Sequence, residues 1–278
     1  ELGFAADESD AWHAMAGRPN GIILVTGPTG SGKTVTLYTT LKQLATPEVN
    51  VCTLEDPIEM VEGSFNQMQI VQDIGVGFAE GIRALMRQDP DIIMVGEIRD
   101  LETADLAIQA ALTGHLVLST LHTNDAPSAM TRLTDLGVPP YLLSATVIGV
   151  MAQRLVRTLC PKCKMAGGMR AEDEAAWNAL VAPWKATKPA QLFHPVGCLE
   201  CRMTGYKGRV GIYEIMPLSN EIKKLINAGA ELARLREQAM REGMKPLRIA
   251  GAKKVAAGLT TIEEIIKVAP PLVDPSAA

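Results

Sequence analysis

Gly21–Thr34 reads GIILVTGPTGSGKT. The first six residues are an apolar run of strand length. The next eight, Gly27 to Thr34, match G-x-x-x-x-G-K-[ST] in full. Beyond them Val35, Tyr38, Leu41 and Ala45 recur at three-to-four spacing, which is a helix period. Strand, glycine-rich turn and helix in that order make a phosphate-binding loop. The glycines let backbone N–H groups curl around phosphate oxygens, and the helix offers its N-terminal dipole to the same charge. Gly27, Pro28, Thr29, Gly30, Ser31 and Gly32 are thus expected to cradle a nucleotide. Lys33 is expected to neutralise its β- and γ-phosphates, and Thr34 to ligate Mg²⁺. A glycine-rich turn without a ligand is the bland alternative, disfavoured by motif and context together.

The chain continues the strand–helix alternation outward from this loop. Residues 1–20 read as a helix ending near Gly17 and a Pro-Asn-Gly turn. Val51 to Asp56 (VCTLED) and Asp91 to Glu97 (DIIMVGE) read as strands, and Phe78 to Gln88 as a helix. A helix with Asp100 as N-cap stops at Gly114. HLVLSTLH is a further strand, and a helix capped by Asn124 or Asp125 ends at Gly137. Nearly continuous apolar strands alternating with helices predict an α/β fold with a mostly parallel sheet covered on both faces. The pattern changes near residue 157. Residues 1–157 form the expected core, 158–209 a cysteine-bearing segment that follows a long helix, and 210–278 a strand (GRVGIYEIMPLS) with helices. Thr261 to Glu264 fits a capping box, and a Pro/Ala tail begins near residue 270.

Hydrolysis needs an acid beside the phosphate loop, at the carboxyl end of a neighbouring parallel strand. Glu97 stands there, whereas Asp91 lies at the wrong end. LEDPIE places Glu55, Asp56 and Glu59 on the loop leaving the second strand, where a carboxylate can orient a water. Their alternative is a solvated acidic loop. Arg83 and Arg87 share an i,i+4 helical face, as phosphate sensors or as a plain salt-bridged pair. His115 and His122 lie at opposite ends and on opposite faces of the fourth strand, with His122 at the ligand end.

The 278 residues allow one large or two unequal domains. A net charge of −4 and 4% aromatics argue against a nucleic-acid surface. The apolar runs fall far short of a bilayer span, so direct membrane insertion is not expected. A start at Glu1 rather than Met fits a fragment of a longer protein.

Four of the five cysteines form two C-x-x-C pairs, Cys160/Cys163 and Cys198/Cys201. Two such knuckles predict a closed tetrahedral Cys₄ site suited to structural Zn²⁺. An iron–sulfur cluster and disulfides are the alternatives. Cys52, in an apolar strand, reads as a buried small hydrophobe.

GPTGSGKT, LEDPIE, VGEIRDLETA and GHLVLSTLHTND, in that order, together with AQRLVRTLCPKC and GRVGIYEI, closely resemble the secretion ATPase superfamily. The likeness runs from about Leu2 to Val268 and falls within the type II secretion and type IV pilus assembly branch. It implies a RecA-like P-loop NTPase that hydrolyses ATP with Mg²⁺. By that likeness Glu59 is the catalytic glutamate of an aspartate box, and Glu97 ends an atypical Walker B motif. His115 and His122 form a histidine box, and Arg83 and Arg87 face nucleotide at subunit contacts. The resemblance further implies a cytoplasmic homohexamer held peripherally at the inner membrane by a platform protein and an associated adaptor. The resemblance also implies an N-terminal domain, which is expected to lie outside this sequence. Val35 departs from the more usual Thr or Ser. The tetracysteine segment is common in secretion and extension ATPases and absent from retraction ATPases. Two rival functions stand beside the motor: a nucleic-acid-translocating or conjugative ring ATPase, and an ATP-binding scaffold without turnover.

Overall fold

The computed structural model describes residues 2–184 and 186–269; the expected tail from residue 270 lies outside them. In chain order the elements are α1 (Ala6–Ala16), β1 (Gly21–Thr26), α2 (Lys33–Leu44), β2 (Val51–Glu55), β3 (Asn66–Gln69), α3 (Phe78–Leu85) and β4 (Ile92–Val95). Then come α4 (Leu101–Leu112), β5 (Leu116–Leu121), α5 (Ala126–Asp135), α6 (Pro140–Thr146) and β6 (Val147–Leu159). The remainder is β7 (Met165–Gly167), α7 (Ala171–Val181), β8 (Leu192–His194), β9 (Tyr206–Pro217), α8 (Asn220–Asn227), α9 (Leu232–Arg241), α10 (Leu247–Ala256) and α11 (Ile262–Val268). Contacts group these into two compact units, one of residues 5–152 and 215–244, the other of the described residues among 2–4, 153–214 and 245–269.

The chain forms a seven-stranded sheet in the order β3-β2-β4-β5-β1-β6-β9; residues 147–152 of β6 and 215–217 of β9 belong to the first unit. Every recorded pairing from β3 through β6 is parallel. β1, β2, β4 and β5 are buried along their whole length. That is why they read as mostly apolar runs, and the few polar residues in them, such as Glu55 and Ser119, are hydrogen-bonded inside the fold. β1 and β5 run in register from Gly21 beside Leu116 to Thr26 beside Leu121. The residues after Thr26 and Leu121 therefore leave the sheet side by side, and β2 and β4 end within one residue of each other, at Glu55 and Val95. Asp100 caps α4 by accepting from Thr103 N at 2.8 Å, and Asp125 caps α5 by accepting from Ser128 N at 2.8 Å.

Three expectations are corrected. The cysteines follow not a long helix but β6, a 13-residue strand whose first half pairs in parallel with β1. Val147, Ile148, Val150, Val156 and Thr158 are β-branched and favour extended backbone. The helix expected over 78–88 stops at Leu85. Arg87 N donates to Ala84 O, so Arg87 lies beyond the last regular turn and the i,i+4 face is not continuous. At Thr261 only half of the capping box forms. Thr261 accepts from Glu264 N at 3.4 Å, while the Glu264 carboxylate turns to Arg157.

The second unit holds the antiparallel pair β7–β8 with α7 between them in sequence. Trp177, Leu180, Tyr213, Val255 and Ile265 are buried in it. The buried Arg248 guanidinium donates to Ala179 O and Ala269 O, both at 2.9 Å, so it meets the C-terminal ends of α7 and α11. The negative ends of two helix dipoles thus stand in for a carboxylate.

Candidate nucleotide site and cysteine cluster

The loop from Gly27 to Gly32 leaves the carboxyl end of β1 and enters α2 at Lys33. Gly30 (φ 77°) and Gly32 (φ 85°) adopt left-handed backbone that turns the chain and that a side chain would strain. Thr26 fixes the loop's root. Its hydroxyl lies 2.7 Å from Thr123 Oγ1 and accepts from Thr123 N at 2.8 Å. Lys33 Nζ folds back on its own loop, donating to Gly27 O at 2.8 Å and Pro28 O at 3.1 Å. Ser31 is buried, and its hydroxyl has no hydrogen-bond partner among the described atoms. A buried unpaired hydroxyl is costly unless something else meets it, which fits a loop built to close on phosphate oxygens.

Glu97 leaves β4 beside this loop, 18% exposed. One of its oxygens is paired with Arg99, and the other lies 3.5 Å from His122 Nε2. Arg99 also stands 3.8 Å from Asp56. The hydrogen bond from Arg99 holds the Glu97 carboxyl below its usual range. Burial opposes this, while the charges of Arg99, His122 and Lys33 reinforce it. The structure thus brings Glu97, Asp56, Arg99, His122 and Lys33 into one electrostatic cluster. Arg99 is not singled out in the sequence. Its signal is its place two residues beyond Glu97 on the same strand exit.

The other expected site residues are placed differently. Glu59 is exposed on the loop after β2. Glu55 is not on that loop but is the last residue of β2, 4% exposed. Its carboxylate accepts from Tyr38 Oη and Thr53 Oγ1, both at 2.6 Å, and from Gln67 Nε2 at 3.1 Å. Burial and the neighbouring Glu55 push the Tyr38 hydroxyl's pKa well up. Arg83 is exposed and pairs with Glu102 at 2.7 Å and Glu80 at 3.6 Å, and Arg87 is exposed too. His115 sits before β5, with Nδ1 2.8 Å from Ala110 O and 3.1 Å from Thr113 Oγ1. Seven residues of extended chain separate it from His122, about 23 Å at about 3.3 Å per residue. It therefore finishes α4 and does not join the Glu97 cluster.

In the other unit the four sulfurs of Cys160, Cys163, Cys198 and Cys201 lie within 4.8 Å of one another. Cys160–Cys198, Cys163–Cys201 and Cys198–Cys201 are 3.9, 3.8 and 3.8 Å apart. A tetrahedral ion with metal–sulfur bonds of about 2.3 Å has sulfur edges of about 3.8 Å, so the residues fit one metal ion. Backbone N–H groups point at the sulfurs, Gly197 at Cys163 (3.3 Å), and Cys198 and Gly205 at Cys201 (both 3.2 Å). Burial pushes the Cys163 thiol up to about 11. Burial also opposes ionisation of Cys201, but the two N–H donors and the neighbouring thiols bring it down to about 6. The N–H donors at Cys201 thus favour the thiolate, the form that binds metal. Cys52 is buried in β2, as expected.

A parallel sheet with a phosphate loop after β1 and an acid at the same end of β4, one strand removed, defines a P-loop nucleotide-binding protein. The family described as type II/IV secretion system protein matches residues 1–267, and the chain belongs to it. It is 60% identical over 270 residues to the type IV pilus assembly ATPase TfpB of Acinetobacter baylyi, covering 97% of this chain and 46% of that protein. To the type II secretion system ATPase E of Vibrio cholerae it is 46% identical over 271 residues, covering 96% and 52%. The chain therefore spans about half the length of these curated relatives. The crystal structure of the pilus retraction motor PilT with bound ADP superposes with a TM-score of 0.70 at 29% identity. That match covers 100% of this chain and 67% of PilT. Among the described residues no helix is long and apolar enough to cross a membrane.

Proposed function

We propose that this chain is the ATP-hydrolysing motor portion of a machine that assembles a type IV pilus or a type II secretion pseudopilus. The observation that carries this reading is the convergence of the Lys33 loop with a braced Glu97, held below its usual pKa, at the carboxyl ends of β1 and β4 on either side of β5. The names of the relatives support the same machine. Lys33 exchanges its two loop carbonyls for phosphate oxygens, and Ser31 donates its unpaired hydroxyl to them. Thr34 and Glu97 would hold Mg²⁺, which when bound neutralises charge between the β- and γ-phosphates. Arg99 keeps Glu97 ionised, the form that a cation needs. Glu59 orients or deprotonates the attacking water.

Arg83 and Arg87 face solvent outside the Glu97 cluster, and they would serve the nucleotide of a neighbouring subunit in a homohexamer. His122 would sense the phosphates through Glu97, whereas His115 supports β5 from its far end. The four cysteines would hold Zn²⁺ as a structural staple, since four sulfur ligands leave no open position for chemistry. The motor would work at the cytoplasmic face of the inner membrane through a platform protein and an adaptor, without contacting nucleic acid. The test is Glu59→Gln in the assembled full-length protein. ATP binding is expected to persist while turnover falls by at least about 100-fold. Unchanged turnover would remove Glu59 from the mechanism.

A further inference from the structure

Glu55 is a buried carboxylate tied from three elements: Tyr38 on α2, Thr53 on β2 and Gln67 on β3. Such a group adds little stability over an apolar replacement, so what it contributes is a fixed geometry. The geometry fixed here is that of the loop carrying Glu59. Gln67 Nε2 donates to Met60 O at 2.9 Å and to Tyr38 Oη at 2.8 Å, and Tyr38 Oη passes 3.1 Å from Met60 O. On the other side of Glu59, Ile58 N donates to Gln69 Oε1 at 3.3 Å. Backbone on both flanks of Glu59 is therefore pinned, while its own side chain stays exposed. Tyr38 lies one helical turn after Thr34 and on the same face of α2. Phe65 packs edge-on against its ring, with centroids 5.6 Å apart. The phosphate-loop helix and the Glu59 loop thus meet at one hydroxyl.

We propose that Tyr38, Glu55 and Gln67 form a buried latch that sets Glu59 relative to the bound phosphates, making them positioning residues for hydrolysis. The inference rests on the ATPase reading above. Any tilt of α2 when its first turn closes on phosphate is passed through the Tyr38 hydroxyl to Glu55 and Met60, and so to Glu59. The latch acts on the attacking water through Glu59 and leaves nucleotide affinity to the loop itself.

The test is Tyr38→Phe in the assembled full-length protein, alone and combined with Glu59→Gln. The ring and its packing remain, and only the hydroxyl goes. With Glu59 present, kcat is expected to fall about 10- to 100-fold, the scale of a displacement near 1 Å. Nucleotide Kd should stay within about threefold. In the Glu59→Gln background Tyr38→Phe should change kcat by less than about twofold, because its target is already gone. A merely structural role would lower both backgrounds alike or weaken nucleotide binding, and either result overturns the latch. So does an unchanged kcat for Tyr38→Phe in a parent that turns over. A parent protein that binds ATP without turnover overturns the proposed function, and the latch with it. If Tyr38→Phe fails to fold, Gln67→Met severs the same tie to Met60 and carries the same expectations.

Discussion

Replacing Glu264 with Gln should destabilise the cysteine-bearing unit, and the loss should fade in acid. Glu264 is 7% exposed at the first turn of α11 and accepts from Arg157 Nε at 3.0 Å and from its terminal nitrogen at 2.6 Å. Arg157 in turn stacks over the Tyr206 ring at 4.1 Å from its centroid. The hydrogen bonds from Arg157 carry the Glu264 carboxyl from 4.5 down to about 2, with burial opposing and Lys267 helping. At about 1.36 kcal/mol per pH unit the drop amounts to about 3 kcal/mol. Arg157 is 47% exposed, so solvent screening reduces this to about 2 kcal/mol. The sign follows from the depressed folded value. The contribution is complete above 4.5 and is lost as pH falls towards 2. Urea unfolding of the wild type and Glu264→Gln at pH 7 and pH 3 reads it directly. The stability gap should be about 2 kcal/mol at pH 7 and less than half of that at pH 3. An equal gap at both pH values, or none at pH 7, would refute the reasoning.

Two further predictions concern the nucleotide site and the cysteines. Arg99→Ala removes the largest influence holding Glu97 down, so the acid limb of the turnover–pH profile should move to higher pH. An unmoved limb would separate Glu97 from the rate. Purified protein should contain about one zinc per chain, and Cys201→Ser should lower both the metal content and the melting temperature of its unit. Elemental analysis finding no stoichiometric metal in the wild type would end the zinc reading.

The strands that carry the phosphate loop and Glu97 are legible because β1, β4 and β5 are buried along their whole length and so are mostly apolar. β3 is not, since NQMQ is a short, partly exposed strand whose polar side chains make local hydrogen bonds, Gln67 to Glu55 among them. β6 misleads for the opposite reason. Its nearly unbroken burial erases the alternation that separates strand from helix, and only its β-branched residues hint at the truth. Motif spacing finds Lys33, Glu97 and the four cysteines, because local geometry dictates those residue types. It cannot find Arg99 as the partner of Glu97, or Tyr38 as the partner of Glu55, since those contacts depend on how strand ends and helices meet in space. The histidines show the same limit from the other side. One motif contains both, but the strand between them delivers only His122 to the Glu97 cluster.

The most direct test of a working motor is phosphate release from ATP by the assembled full-length protein, measured beside Lys33→Ala. The wild type should turn over continuously, and the substitution should abolish turnover by removing the ammonium that now rests on Gly27 O and Pro28 O. Tight ATP binding by the wild type without phosphate release, or normal release by Lys33→Ala, would contradict the account.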